Sequence, residues 1–184
     1  MAKKPLEIWT IGHSTRGIEE FISLLRAHEI QTLADVRQFP GSRRHPHFSQ
    51  GNLSESLRKQ GIDYIHFPEL GGRRVARPDS PNTAWRNVAF RGYADYMMTA
   101  PFRAGIEHLL QIAREKRTAI MCAEAVWWRC HRSLIADYLQ SHGKKVLHIL
   151  SPKKSEEHPF TSAARLLNGK LSYSAPESEL VFPF

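Results

Sequence analysis

Cysteine is scarce in this chain: there are two in 184 residues, Cys122 and Cys130. Two thiols so close in sequence cannot lay out the disulfide framework of a secreted scaffold. The fold must rest on packing, and the thiols are left as reduced side chains, a transient redox pair or metal ligands. Long apolar runs are missing as well. Nothing approaches the ~18 consecutive apolar residues needed to cross a bilayer, and the opening residues Met1 to Leu6 lack the apolar core of a signal peptide. The expected compartment is therefore the cytoplasm, with no membrane partner. Acidic residues fall short of basic ones, 18 against 26, for a formal net charge of +8. That balance favours an anionic partner, a small molecule or a nucleic acid, without specifying any chemistry.

What is present is enough for one domain, with 41% apolar residues to build a core. Short apolar runs alternate with segments of helical periodicity. Strands are expected at Glu7 to Ile11, Gln31 to Val36, Ile62 to Phe67, Thr118 to Cys122 and Lys145 to Leu150. Helices are expected at Ile18 to Ala27, from Asn52 to near Gly61, at Tyr93 to Met98, at Phe102 to Ala113 and at Cys130 to Gln140. The alternation predicts an α/β fold, a single compact domain with a mostly parallel sheet of about five strands and helices on both faces. This domain is expected over residues 1–150. Residues 151–184 read as a C-terminal extension, docked or partly irregular, whose apolar end Leu180 to Phe184 could contact the body or a partner.

Ligands in open α/β sheets bind beyond the carboxyl ends of the strands. Three polar clusters fall there: Gly12, His13 and Ser14 after the first strand, Asp35 and Arg37 at the second, and Cys122 and Glu124 after the fourth. Gly12 and Gly17 have the spacing of a phosphate loop, but Ile18 and Glu19 stand where that motif needs Lys and a hydroxyl residue, which disfavours a Walker-type nucleotidase. Either an anion-receiving helix entry or a simple tight turn remains. Arg37, Ser42, Arg43 and Arg44 make a basic loop suited to phosphate or carboxylate, followed by His45 and His47. Arg73, Arg74, Arg77, Arg86 and Arg91, interleaved with Trp85 and Phe90, suit single-stranded nucleic acid, although no recognisable nucleic-acid fold motif accompanies them.

Cys130 lies at an expected helix start beside Arg129, His131 and Arg132, surroundings that favour a reactive thiolate; the alternative is a small buried hydrophobe. Cys122, ending a buried strand, reads as core. Neither cysteine has the five-residue spacing to Arg that a thiol phosphatase loop requires, and the zinc-deaminase pattern is absent. Metal binding by His13, His45, His47, Cys122, Cys130 and His131 is open by composition but lacks diagnostic spacing, so no metal is assigned and no cofactor is indicated.

Taken in order, Thr10 to Ser14, Asp35 to Arg37 with Pro40, Ser42 and Arg43, Leu70 to Gly72, Tyr93, Ala94 and Met97, and Met121 to Glu124 with Cys130 to Arg132 resemble the family catalogued as domain of unknown function 488. The resemblance runs over roughly residues 8 to 150. It implies a compact α/β domain and directs attention to these positions without supplying a reaction. Gly17, where a hydroxyl cap is usual, and Trp127 and Trp128, where a Pro often stands, are departures.

The reading that combines these signals is an enzyme-like domain binding an anionic, phosphate-bearing ligand, a nucleotide or nucleic acid, at the strand ends. Gly12, Ser14, Arg37, Ser42, Arg43, His131 and Arg132 would bind it. His13 and Glu124 would handle protons and Cys130 would act as nucleophile or ligand contact. Arg73, Arg74 and Arg77 are the expected nucleic-acid contacts. Two rival classes stay open: a metal-binding or thiol redox protein using the His and Cys cluster, and a noncatalytic nucleic-acid-binding module. The oligomeric state cannot be read from the sequence.

Overall fold

The computed structural model describes residues 4–41 and 43–176; Ser42 and the apolar stretch Leu180 to Phe184 lie outside the described residues. The strands are β1 (Glu7–Gly12), β2 (Thr32–Asp35), β3 (Asp63–His66), β4 (Thr118–Cys122), β5 (Lys145–Ser151) and β6 (Lys154–Glu157). They form one sheet in the order β3-β2-β4-β1-β5-β6. The first five run parallel, and β6 turns back antiparallel on β5 at the edge. The helices are α1 (Ile18–Ala27), α2 (Gln50–Arg58), α3 (Val88–Met97), α4 (Ala100–Glu115) and α5 (Arg132–Ser141). A small hairpin, β7 (Arg165–Leu167) with β8 (Lys170–Ser172), stands apart from the main sheet. The fold is thus α/β as expected, with an antiparallel sixth strand that the sequence reading did not separate from the C-terminal extension.

Why β4 reads as an unbroken apolar run is plain from its place. It lies in the middle of the sheet, and its alternate residues feed two cores. Ile120 and Cys122 pack with Phe102, Ile106, Leu134 and Ile135 from α4 and α5 on one face. Ala119 and Met121 pack with Phe21, Leu25, Leu53 and Leu57 from α1 and α2 on the other. A strand buried on both faces has no side left for polar alternation.

The two cores also fix where loops diverge. The chain leaves β1 and β2 toward helices on one face and leaves β4 toward α5 on the opposite face, so β4 is flanked on both sides by loops that part from its own. Such switch points open crevices at strand carboxyl ends. Between β1 and β4 the crevice is closed. The His13 and Ser14 amides donate to the Cys122 and Ala123 carbonyls at 3.0 and 2.9 Å, extending the pairing beyond the strands. Gly12 lies so close to the next turn that a Cβ there would sit 1.7 Å from the Glu124 carbonyl oxygen. The open side is therefore between β2 and β4.

This close approach makes a prediction. Gly12→Ala should lower the unfolding free energy by about 3 kcal/mol, because the contact is backbone on both sides and cannot relax. Gly51→Ala, at an α2 position with no atom within 4 Å of the new methyl, should raise it by roughly 0.5 kcal/mol or more through helix propensity. Chemical denaturation of the two variants checks both signs.

Candidate functional site

A crevice of about 250 Å³ opens between the loops after β2 and β4, lined by residues of three strand-end segments. Arg37, Gln38 and Phe39 come from the first, Gly72 and Arg73 from the loop after β3, and Cys122 to Glu124 with Cys130 and His131 from the last. At its floor the two sulfurs meet, Sγ to Sγ 2.7 Å, both cysteines being free and buried. Cys122 is where β4 ends. Cys130 is brought back to it by a single 3-10 turn at Trp127–Arg129, just before α5 begins.

The two thiols are unequal. Burial pushes the Cys130 thiol well up, and donation of its proton toward Cys122 adds to the rise. Burial raises Cys122 too, but the hydrogen bond from Cys130 and the Arg132 charge outweigh it and hold Cys122 below the ordinary thiol range. The sequence expectation of a thiolate on Cys130 takes no account of this burial or of the partner thiol. These directions favour a thiolate on Cys122 with Cys130 as its hydrogen-bond donor.

His131 has its Nε2 on the Val36 carbonyl at 3.0 Å and its Nδ1 3.5 Å from the Cys130 sulfur. A ring that donates from Nε2 to a carbonyl keeps a lone pair on Nδ1, so the nitrogen facing the thiol is an acceptor. Burial lowers its pKa to about 4, and it stays neutral near pH 7. Gly72 makes room for the ring: a Cβ there would stand 3.0 Å from Nδ1.

Arg37 is locked in a forked pair with Asp35, Nη2 to Oδ2 2.6 Å and Nε to Oδ1 2.9 Å, and Tyr64 donates to the same carboxylate at 2.6 Å. Its Nη1 reaches the Nε2 of His13 at 3.4 Å. His13 places Nδ1 on the Ser14 carbonyl at 2.8 Å and stacks on Phe48 at 4.3 Å. Burial lowers its pKa to about 4, so it is neutral and turned toward Arg37. His13 thus stands behind Arg37 and does not line the crevice. Gly12 and Ser14 serve the β1–β4 junction, and the exposed Arg43 is not among the lining residues. Glu124 is exposed on the crevice wall, while its carbonyl is held from below.

That hold comes from Arg132. Its side chain is fully buried, with Nη2 donating to the carbonyls of Glu124 and Ala125 at 3.1 and 3.4 Å and Nη1 to Thr10 Oγ1 at 3.5 Å. Among the described residues it has no carboxylate partner, and its Nε has no hydrogen-bond partner. Arg132 does not line the crevice either; it lies beneath the loop and supplies positive potential to the thiols.

A polar chain missed by the sequence reading continues from it. Thr10 Oγ1 meets His148 Nδ1 at 2.6 Å, His148 Nε2 meets His158 Nδ1 at 2.9 Å, and His158 Nε2 meets Asp137 Oδ1 at 2.9 Å. Asp137 also accepts from Tyr173 and from the Thr161 hydroxyl and amide. Since Asp137 accepts only, the network assigns one polarity throughout, with every proton pointing from Arg132 toward Asp137. Trp127 stacks flat on His148 at 4.6 Å and donates to Glu156. A signal existed: His148 interrupts an apolar strand, and Asp137 follows Leu134 at a core-facing helical interval.

The arginines expected at a nucleic acid divide. Arg74 donates to the Gly71 and Pro68 carbonyls and sits 3.7 Å over the Tyr96 ring, and Arg77 pairs with Asp79. Arg73, exposed with φ of 59°, joins the crevice wall. Among the described residues no three His, Cys, Asp or Glu side chains gather as metal ligands, and no helix is long and apolar enough to cross a membrane.

These features define an α/β domain with a thiol-floored crevice at the carboxyl ends of its central parallel strands. The chain belongs to the family described as Domain of unknown function DUF488, which it matches over residues 17–139. The matched span begins after β1 and ends before β5, so Thr10 and His148 fall outside it. No curated protein and no solved structure matches the chain.

The buried histidines set an acid limit on stability. His13 and His131 at about 4 and His148 at about 2, where burial again leads, are neutral in the fold, while the unfolded chain protonates near 6.5. Between pH 6.5 and about 4 the unfolded state binds more protons, so stability is fully present above 6.5 and falls as the pH drops. Each histidine contributes up to about 1.4 kcal/mol per pH unit in that window. Urea midpoints from pH 7 to pH 4.5 should fall, and less steeply in His13→Gln; equal slopes would remove His13 from the account.

Proposed function

We propose that the protein is a thiol enzyme that binds the anionic end group of a small molecule in the β2–β4 crevice and acts on it through Cys122. The observation that carries this reading is the pair of touching sulfurs at the floor of a crevice walled by Arg37, Arg73, Glu124 and His131. A structural pair of cysteines needs no crevice above it; a reactive thiol does. The nucleophile would be the Cys122 thiolate, with Cys130 returning or withdrawing a proton and Glu124 available for exchange with solvent.

Anion binding draws on an excess of positive charge. Arg37 is compensated by Asp35 but presents a rigid edge, and Arg73 and Glu124, both lining the crevice, carry opposite charges. The buried Arg132, which has no acidic partner among the described residues, tips the balance. The crevice, about 250 Å³, is smaller than the roughly 300–1,000 Å³ usual for sites that enclose a whole drug-sized ligand. A phosphate or carboxylate terminus fits, and the rest of a nucleotide would lie outside, where Arg73 is exposed. A reducing compartment such as the cytoplasm would keep both thiols free.

Paired alkylating agents test this. Iodoacetate carries a negative charge and iodoacetamide does not, so their rate ratio at one thiol reports the local field. The ratio at Cys122 should exceed that of the unfolded protein by about fivefold, equivalent to roughly 1 kcal/mol of attraction. Arg73→Asn, which tolerates the left-handed backbone, should bring the ratio down while sparing the iodoacetamide rate. A ratio equal to that of the unfolded chain, or labelling at Cys130 first, would contradict the reading.

A further inference from the structure

We infer that Cys122 and Cys130 form a dithiol that reduces small hydroperoxides by closing to a disulfide; this rests on the reading of Cys122 as the reactive thiol of the crevice. Three observations bear on it. The sulfurs are 2.7 Å apart, against about 2.05 Å for a bonded pair, so closure needs a movement of less than ~1 Å. Both cysteines line the crevice, and exposures of 2% for Cys122 and 5% for Cys130 exclude a protein disulfide as the oxidant. Finally, a proton acceptor lies beside the resolving thiol: His131 Nδ1 is 3.5 Å from the Cys130 sulfur.

The steps balance as follows. The Cys122 thiolate attacks the distal oxygen of the hydroperoxide, the O–O bond breaks, and the alkoxide or hydroxide that leaves takes a proton to become alcohol or water. Cys122 is now a sulfenic acid, oxidised by two electrons. Cys130 attacks its sulfur, the S–O bond breaks, and the thiol proton of Cys130 passes to the departing oxygen, with His131 Nδ1 as a transient relay, so that the oxygen leaves as water. The sum is hydroperoxide plus two thiols giving one disulfide, one alcohol (water when the oxidant is hydrogen peroxide) and one water. A small dithiol reductant restores the pair by exchange.

The geometry also accounts for the division of labour. The residue with the lower thiol pKa attacks the peroxide, and the one kept protonated, adjacent to a neutral imidazole, resolves the intermediate. Cys130 stays protonated until it attacks, and His131 Nδ1, a weak base, carries its proton only in transit to the departing oxygen. His131 is held for this by the Val36 carbonyl at Nε2 and by the space at Gly72.

Hydrogen peroxide added to the reduced full-length protein tests the proposal, with dithiothreitol as reductant and intact mass as readout. The wild type should consume one equivalent, lose two hydrogens and regain them with dithiothreitol. Cys130→Ser should stop at a sulfenic acid on Cys122 that dimedone traps, and Cys122→Ser should lose peroxide consumption at least tenfold. His131→Gln should form the sulfenic acid at the wild-type rate but close the disulfide about tenfold more slowly. Direct overoxidation of Cys122 to sulfinic acid without a disulfide, or undiminished consumption by Cys122→Ser, overturns it. If Cys122 alkylates with the expected preference for iodoacetate yet gives no disulfide, the dithiol inference alone fails. If Cys122 is inert toward peroxide and both alkylating agents, the site reading fails with it.

Discussion

A guanidinium buried with no carboxylate partner among the described residues is the constraint on which this structure turns. Removing such a cation from water costs several kcal/mol, and the cost has to be offset locally. Here the first residue of α5, Arg132, is offset by backbone and by dipoles: two carbonyls of the loop after β4, the Thr10 hydroxyl, and beyond it a file of hydrogen bonds ending at Asp137. Arg132 and Asp137 lie on the same helix, so the chain of contacts leaves α5, crosses β1 and β5, and returns to α5. Because the loop carbonyls must face Arg132, the loop lies flat against Gly12, and only a residue without a Cβ can stand there. The same loop path sets Cys122 against Cys130.

The C-terminal segment is drawn into this arrangement. His158, Thr161 and Tyr173 all bond to the network at Asp137, and Glu156 anchors the Trp127 ring that covers His148. Residues 151–176 are joined by hydrogen bonds to the interior behind the site, although the family match stops at residue 139. The antiparallel β6 and the β7–β8 hairpin carry these residues to their positions.

Much of the fold was legible because β1, β4 and β5 are central parallel strands, and burial on both faces leaves the unbroken apolar runs that sequence reading detects. β6 was not, since Lys154 to Glu157 is an edge strand whose polar composition resembles a loop. Of the site, the residue types were visible and their roles were not. Arg37 and Asp35 are two apart in sequence, yet their forked pairing depends on where β2 ends. Arg132 reads as a ligand-binding cation from its neighbours, but the helix start buries it. Cys130 reads as an activated thiol or a small buried hydrophobe at a helix entry, and only the fold reveals the second sulfur beside it and the burial that pushes its pKa up. His148, His158 and Asp137 come from three elements, and no short motif links residues that meet only through the packing of α5 on the sheet.

The central claim is that the hydrogen bond from Cys130, with the Arg132 charge behind it, favours the first thiolate on Cys122. Titrating thiolate absorbance with pH tests it most directly, with mass-resolved labelling to assign each step to a cysteine. The account predicts that Cys122 ionises first, below the ordinary thiol range, that Arg132→Met raises its midpoint by about one pH unit or more, and that Arg132→Lys largely restores it. A first ionisation at Cys130, or a Cys122 midpoint unmoved in a folded Arg132→Met protein, would contradict it.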